Sequence, residues 1–322
     1  METPRIASVI LAAGKGTRLK SDLPKVLHQV CDRPMLAYVF DACRTAGVRD
    51  CLAVVGHGKD QVIAAFADDQ AVTWIEQSAQ LGTGHAVMVC REQISAYDHI
   101  LVLCGDGPLI RSETVQAMID AHLKDGASAT LATALLDDPT GYGRIWRDVD
   151  GRLLGIVEHG DCTPEQRQIR EVNPSYYCFR VADLLPTLDQ LKPNNVKNEY
   201  YLTDCVALLI AAGKTVNAIT SVQPEDIYSI NSRQHLAQVN GVMRARILDK
   251  LMSNGVTIVD PANTWIDARA TIGQDTVIDP FVHIAGPVKI GRDCRVRPFV
   301  QLAGHAVVPD GTTVTPTCGG TA

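Results

Sequence analysis

Three cations, Lys15, Arg18 and Lys25, fall within eleven residues of one another, directly after an apolar run from Ile6 to Ala13. The glycines at 14 and 16 open a turn there, and without a Cβ the backbone N–H groups of such a turn can approach an anion closely. Pro24 fixes its own φ and holds Leu23 extended, so Lys25 is presented from a stiffened segment. Cations around a bare backbone turn are the chemistry of a polyphosphate site. The pattern is not a dinucleotide fingerprint, because Leu19 fills the third glycine position, and it lacks Walker A spacing. GKG alone is also compatible with a plain strand-to-helix turn; the Pro-Lys pair that follows weighs against that reading.

A second block, GDGPL from Gly105 to Leu109, places Asp106 after another apolar run. A carboxylate at the mouth of a strand suits Mg²⁺, a hard ion that takes oxygen ligands and shares phosphate oxygens of a bound nucleotide. In isolation such an Asp is more commonly a cap or turn residue, and its order relative to GKGTR favours the metal. A third block, QLGTGH at Gln80 to His85, reads by itself as a polar turn entering a helix. Gln side chains there offer a donor and an acceptor together, which matches an imide edge such as that of uracil. His85 is read as structural.

LAAGKGTRL followed by SDLPKVLH resembles the signature of sugar-1-phosphate nucleotidyltransferases, most nearly the bacterial N-acetylglucosamine-1-phosphate uridyltransferases. The resemblance continues in order through VGHG (Val55–Gly58), EQSAQLGTGHA (Glu76–Ala86), LCGDGPL (Leu103–Leu109), DDPTGYGRI (Asp137–Ile145), GIVEH (Gly155–His159), NEYYLTD (Asn198–Asp204) and INSR (Ile230–Arg233). It implies a Rossmann-like nucleotidyltransferase domain that uses UTP and N-acetylglucosamine 1-phosphate with Mg²⁺ to make a UDP-sugar and pyrophosphate. The family's base pocket maps onto Gln77, Gln80, Gly82 and Thr83 with backbone at Leu11, Ala12, Ala13 and Gly14. Lys25 is implied to hold the attacking phosphate, and Lys15 and Arg18 the leaving pyrophosphate. Asn231 is implied as the second metal ligand beside Asp106, and Gly143, Glu158 and Asn173 as sugar contacts, with Tyr200 and Thr203 nearby. Two positions depart from the family: Asn173 is followed by Pro174 and Ser175 in place of a small residue and glycine, and Gly107 replaces a small apolar residue. The first leaves open another hexose 1-phosphate, taken with UTP or dTTP. A non-catalytic sugar-nucleotide sensor is a further alternative, against which stands the joint retention of Arg18, Lys25, Asp106 and Asn231.

These residues need a frame of some size. The chain has 322 residues, 46% hydrophobic and 20% charged, ordinary for a globular protein and long enough for two domains. The net charge of -6 and the absence of a Lys/Arg run argue against a nucleic-acid partner. Ten cysteines are scattered singly, never as CxxC, and read as reduced core residues. The run IASVILAA is too short and wrongly flanked for a signal peptide, and no other run approaches a membrane span. A cytoplasmic protein without membrane contact is expected.

From residue 5 to about 228, strand candidates such as Cys51–Val55, His99–Cys104 and Ala129–Ala134 alternate with helical stretches such as Met35–Ala46 and Ser112–Lys124. This alternation predicts an α/β fold with a mostly parallel sheet covered on both faces, and such sheets bind ligands at strand carboxyl ends. Leu236, Val239, Met243, Ile247 and Leu251 then mark an amphipathic helix between Ser232 and Asn254. Beyond it, aliphatic residues recur every six positions from Ile266 through Ile272, Ile278, Ile284, Ile290, Val296, Leu302 and Val308 to Val314, the signature of a left-handed parallel β-helix, here of three coils. The predicted domains are 1–231 for nucleotidyl transfer, 232–255 for a connecting helix and 256–322 for the short β-helix. By resemblance the β-helix implies a homotrimer. The family's acetyltransferase residues lie on later coils with no matching positions here, so acetyl transfer is not expected, and the TCGGTA ending offers no clear capping helix.

Overall fold

The computed structural model describes residues 4–316. The Ile6–Leu11 strand lies centrally in a nine-stranded mixed sheet. Parallel strands Asp50–Val55 and then Val72–Glu76 follow on one side, and His99–Cys104 pairs with it in parallel on the other. The long Glu171–Arg180 strand inserts antiparallel between His99–Cys104 and Ala129–Leu135, and Val216–Thr220 closes that edge. An antiparallel hairpin, Gly143–Arg147 and Leu153–Val157, attaches to the start of the inserted strand. Strand order therefore reverses beside Ile6–Leu11, where one crossover leaves to each side. In open α/β sheets that reversal opens a crevice at the carboxyl ends.

Alternation along the central strand explains both layers. Ala7 and Val9 face a core built with Ala86, Val87, Leu184, Leu188, Val206 and Leu209 from helices on one face. On the other face the Met35–Thr45 and Ser112–Lys124 helices pack together. The strands and helices expected over residues 5–228 are present, with ends moved by a residue or two, so the mostly parallel α/β architecture is confirmed.

The chain divides into two compact units: one runs through Leu27 and resumes from Met35 to Asn231, and the other takes His28–Pro34 and the described residues from Ser232 on. The second unit opens with the Arg233–Ser253 helix, capped by the Ser232 hydroxyl, which accepts from the His235 N–H at 3.2 Å. Val239, Met243 and Ile247 are buried along its stripe. Short strands then stack in three parallel sheets, Thr257 to Val314. Partners such as Trp265 and His283, or Val277 and Arg295, are eighteen residues apart, which is three hexads and one coil. Positive φ recurs on the same period, at Asp275 and Asp293 and at Phe281 and Phe299, so each coil turns its corner with the same strained geometry. The two phenylalanines stack at 5.2 Å between ring centroids and stay largely exposed.

Nine cysteines fall in the described residues, all of them free. No helix among the described residues is long and apolar enough to cross a membrane. The expected lack of a terminal capping helix concerns residues outside those described.

Candidate active site

At the reversal point the Ile6–Leu11 and His99–Cys104 strands release their chains side by side; the Gly105 N–H donates to the Leu11 carbonyl at 2.9 Å. A cavity of about 250 Å³ opens there, lined by Leu11, Ala12, Ala13, Gly14, Lys25, Gln77, Gln80, Gly82, Thr83 and Asp106. Every residue expected at the base pocket thus shares one wall system with Lys25 and Asp106. Val26, Ala86, Cys104 and Glu199 complete the lining and were not anticipated. Glu199 and Cys104 each lie inside a recognised block, NEYYLTD and LCGDGPL, but neither residue type by itself marked a place in the pocket.

Local sequence sets this geometry. Gly16 takes φ +61, and a Cβ on it would sit 2.8 Å from the Lys25 Cβ, so only glycine lets the turn lie against the lysine stem. A Cβ at Gly14 would meet nothing within 4 Å, which leaves bare backbone facing the cavity. At Gly82, with φ +108, a Cβ would fall 2.6 Å from the Tyr200 carbonyl. That close approach carries the Tyr200–Leu81 and Gly84–Tyr200 backbone hydrogen bonds, each 2.8 Å, while Thr83 Oγ1 accepts from the Leu202 N–H at 3.0 Å. Gln77 is buried and donates to the Gly82 carbonyl at 3.1 Å, with His85 Nδ1 also 3.0 Å from its amide nitrogen. His85 therefore orients a cavity residue instead of lining the cavity.

Lys25 Nζ donates to Asp106 Oδ2 and, at 2.7 Å, to Asn231 Oδ1. Asn231 in turn donates to the Ser229 hydroxyl at 3.0 Å, and the Ile230 N–H donates to the Asp106 carbonyl at 3.0 Å. One ammonium thus gathers the two oxygens that sequence resemblance pairs as metal ligands. Among the described residues no three His, Cys, Asp or Glu side chains converge as a protein cage for a metal.

The expected sugar residues form an adjoining cluster outside the cavity lining. Asn173 and Gly143 are direct partners across the hairpin junction, and a Cβ on Gly143 would lie 3.7 Å from both the Asn173 Cβ and the Glu158 carboxyl carbon. Thr203 donates to Glu158 at 3.4 Å, and burial raises the Glu158 pKa, partly offset by Lys197 and Thr203. Asn173 is engaged at both ends of its amide: it donates to the Tyr177 phenol at 2.6 Å and accepts from the Ser175 N–H at 3.0 Å. Ser175 adopts φ +65 at an irregularity in strand register between Val172 and Tyr176. Its side chain partly offsets the burial-driven rise in pKa of both Tyr177 and the Cys104 thiol, which ties this cluster to the cavity wall. Burial pushes that thiol up to about 12, so Cys104 stays neutral there. Lys15 and Arg18 lie on the exposed turn outside the cavity lining, and Tyr200 contributes backbone that closes over Gly82.

Known proteins resemble this chain in both of its parts. Residues 8–198 match the model of MobA-like NTP transferase domains, and residues 269–304 match the bacterial transferase hexapeptide, six repeats. The chain is 47% identical over 274 residues to the bifunctional protein GlmU of Clostridium acetobutylicum, covering 85% of this chain and 60% of that one. It is 45% identical over 285 residues to GlmU of Geobacter metallireducens, covering 88% and 60%. The chain thus spans about 60% of the length of these relatives. A solved Bacillus anthracis structure, assigned as a glucose-1-phosphate thymidylyltransferase, superposes with a TM-score of 0.62 at 17% identity over 74% of this chain and 94% of that one, a likeness of fold. With the transferase-domain match running over more than half of its length and hexapeptide repeats following in sequence, the chain belongs to the family of MobA-like NTP transferase domains.

Proposed function

We propose that this protein is a uridylyltransferase that converts UTP and N-acetylglucosamine 1-phosphate to UDP-N-acetylglucosamine and pyrophosphate. The observation that carries the reading is a single cavity holding the glutamine and glycine wall together with Lys25 and Asp106, with Asn231 on the same ammonium. Similarity to GlmU proteins over 85% or more of this chain supports the same reaction class.

A phosphate oxygen of the sugar 1-phosphate attacks the α-phosphorus of UTP, the new Pα–O bond forms, and the bond to the β-phosphate oxygen breaks to release pyrophosphate. Two polyanions have to be aligned, so the work is neutralisation and positioning. Gln77 and Gln80 offer amide edges to the base, while Gly82 and Thr83 let backbone close on it. Lys25 holds the attacking phosphate, and Lys15 and Arg18, on the exposed turn, meet the leaving pyrophosphate. Glu158, Asn173, Thr203 and Tyr200 with Gly143 receive the sugar. The donor set fits a divalent metal: two hard oxygens, from Asp106 and Asn231, within reach of one cation, leaving other positions for phosphate and water. Mg²⁺ bound there would supply charge neutralisation to the phosphates.

Pyrophosphate release with Mg²⁺, measured across UTP, dTTP, CTP, ATP and GTP against N-acetylglucosamine, glucose, N-acetylgalactosamine and glucosamine 1-phosphates, tests the reading. Release confined to UTP and N-acetylglucosamine 1-phosphate is the expected result. Preference for another sugar would move the assignment to a different hexose 1-phosphate, a second reading favoured by the Asn173-Pro174-Ser175 bulge. Silence across the grid would favour a sugar-nucleotide sensor. The proposal covers nucleotidyl transfer alone, in a cytoplasmic setting and a trimer assembled through the β-helix; acetyl-CoA-dependent loss of the free amine of glucosamine 1-phosphate would overturn that restriction.

A further inference from the structure

Five residues beyond Asp106 stands Arg111, and five residues before Asn231 stands Asp226. The two form a forked ion pair, Arg111 Nε donating to Asp226 Oδ2 at 2.6 Å and Nη2 to Oδ1 at 3.3 Å. Asp226 is 1% exposed. Taking a carboxylate that far out of water is costly unless it is paired and well aligned, and a planar guanidinium fork is the geometry that fixes two groups in both distance and direction. The backbone is tied at the same level. The Tyr176 phenol donates to the Asp226 carbonyl at 3.2 Å, the Tyr142 phenol to the Ile227 carbonyl at 3.4 Å, and the Ile230 N–H to the Asp106 carbonyl at 3.0 Å. Two chain segments that are remote in sequence thereby close into a short loop, with the ion pair at one end and the Asp106 and Asn231 oxygens at the other.

We propose that Arg111 and Asp226 are positioning residues whose ion pair, backed by Tyr176, sets the separation of the Asp106 and Asn231 oxygens and with it the affinity of the site for a divalent cation. The inference rests on the reading of those two residues as metal ligands. Neither Arg111 nor Asp226 lines the cavity; both act through the segments that deliver the ligands. A metal site loses affinity steeply when its ligands are held loosely, and loss of an outer partner typically weakens binding about 10- to 100-fold.

The test is Mn²⁺ binding to the full chain without substrates, followed by the electron paramagnetic resonance of free Mn²⁺, for the wild type, Asp106→Ala, Asp226→Asn, Arg111→Gln and Tyr176→Phe. Asp226→Asn and Arg111→Gln are expected to weaken Mn²⁺ binding about 10-fold, Tyr176→Phe by less, with unchanged far-ultraviolet circular dichroism. The Arg111 side chain is 42% exposed, so its variant keeps the test open if Asp226→Asn fails to fold. A folded Arg111→Gln protein that binds Mn²⁺ as the wild type does, while Asp106→Ala binds it weakly, overturns the brace and leaves the metal assignment standing. Unchanged binding by Asp106→Ala overturns the metal assignment and the brace together.

Discussion

Lys25 is the residue on which the site turns, because its ammonium touches both Asp106 and Asn231. Removing Asp106 takes away the lining carboxylate that the Lys25 ammonium touches; apart from Glu199, the other polar lining groups are amides, a hydroxyl, a thiol and Lys25 itself. Asp106→Ala is expected to lower kcat for pyrophosphate release by at least about 100-fold, the scale for losing one major electrostatic element, and a rate near that of the wild type would remove Asp106 from the reaction. Lys25→Ala should act in two directions: use of the sugar phosphate weakens, while Mn²⁺ binding tightens because an ammonium no longer competes for the same oxygens. Looser Mn²⁺ binding would mean that the lysine assists the metal site. Asp106 was legible in the sequence because it follows an apolar strand run in a short block of its own, and Lys25 because Pro24 presents it from a stiffened segment close behind the glycine turn. Asn231 was legible only through resemblance, and Arg111 and Asp226 not at all, since an ion pair between distant segments leaves no local pattern. Glu158 carries a pH signature. Burial raises its pKa above the ordinary 4.5, so the folded state holds this proton more tightly than the unfolded one, and the stability it contributes is present at low pH and lost as pH rises through the folded value. Glu158→Gln should therefore raise the melting temperature at pH 7, by an amount that shrinks toward pH 4; an equal shift at both would deny the linkage.

The elements that carry these residues are specified by backbone demands more than by propensity. The turn after Gln80 exists because Gly82 admits the Tyr200 carbonyl where a side chain would stand, in a φ region that L-residues rarely adopt. Gly82→Ala therefore meets backbone, not a flexible side chain, and is expected to cost about 1–3 kcal/mol in urea unfolding and to raise the KM for UTP more than that for the sugar phosphate. Equal KM values would separate this turn from the nucleotide. The irregular strand at Asn173 follows the same logic in reverse. Ser175 takes the left-handed conformation that a glycine would hold without strain, and its N–H donates to the Asn173 side chain. Pro174 in the sequence did point to a reshaped bend. What it could not reveal is that the bend leaves Asn173 bonded at both ends of its amide, because that depends on a phenol four residues on. The Tyr176 hydroxyl also passes within 3.4 Å of where a Gly107 Cβ would stand, so the residue that follows the first departure from the family pattern reaches the second. The regular elements were more readable: period-six aliphatics foretold the coils, and the alternation of apolar strands with helices foretold the sheet.

At the scale of the molecule, the division of the chain is not a single cut. The path leaves the first unit at Leu27, returns at Met35 and leaves again after Asn231, with the small hairpin of Gln29–Val30 and Arg33–Pro34 counted in the second unit. The hairpin was not legible as a separate piece. Its strands are two residues each, too short for any periodicity. In the second unit Val30 and Cys31 are buried, and the Cys31 N–H donates to the Asn240 side chain at 2.9 Å on the Arg233–Ser253 helix. A chain ended at Asn231 would keep the hairpin and lose the helix that covers it. That shortened protein would expose Val30 and Cys31 and leave the Cys31 N–H without its partner, a loss of about 1–3 kcal/mol for the unmet polar group together with the uncovered apolar surface. It is expected to unfold at a lower temperature than the full chain and to associate at micromolar concentration. Replacing residues 28–34 with a short polar loop in the shortened protein should recover much of the lost stability, because the uncovered surface goes with the hairpin. If thermal unfolding of the two shortened forms were indistinguishable, the hairpin would have no energetic tie to the second unit, and the domain boundary expected at residue 231 would be the better description.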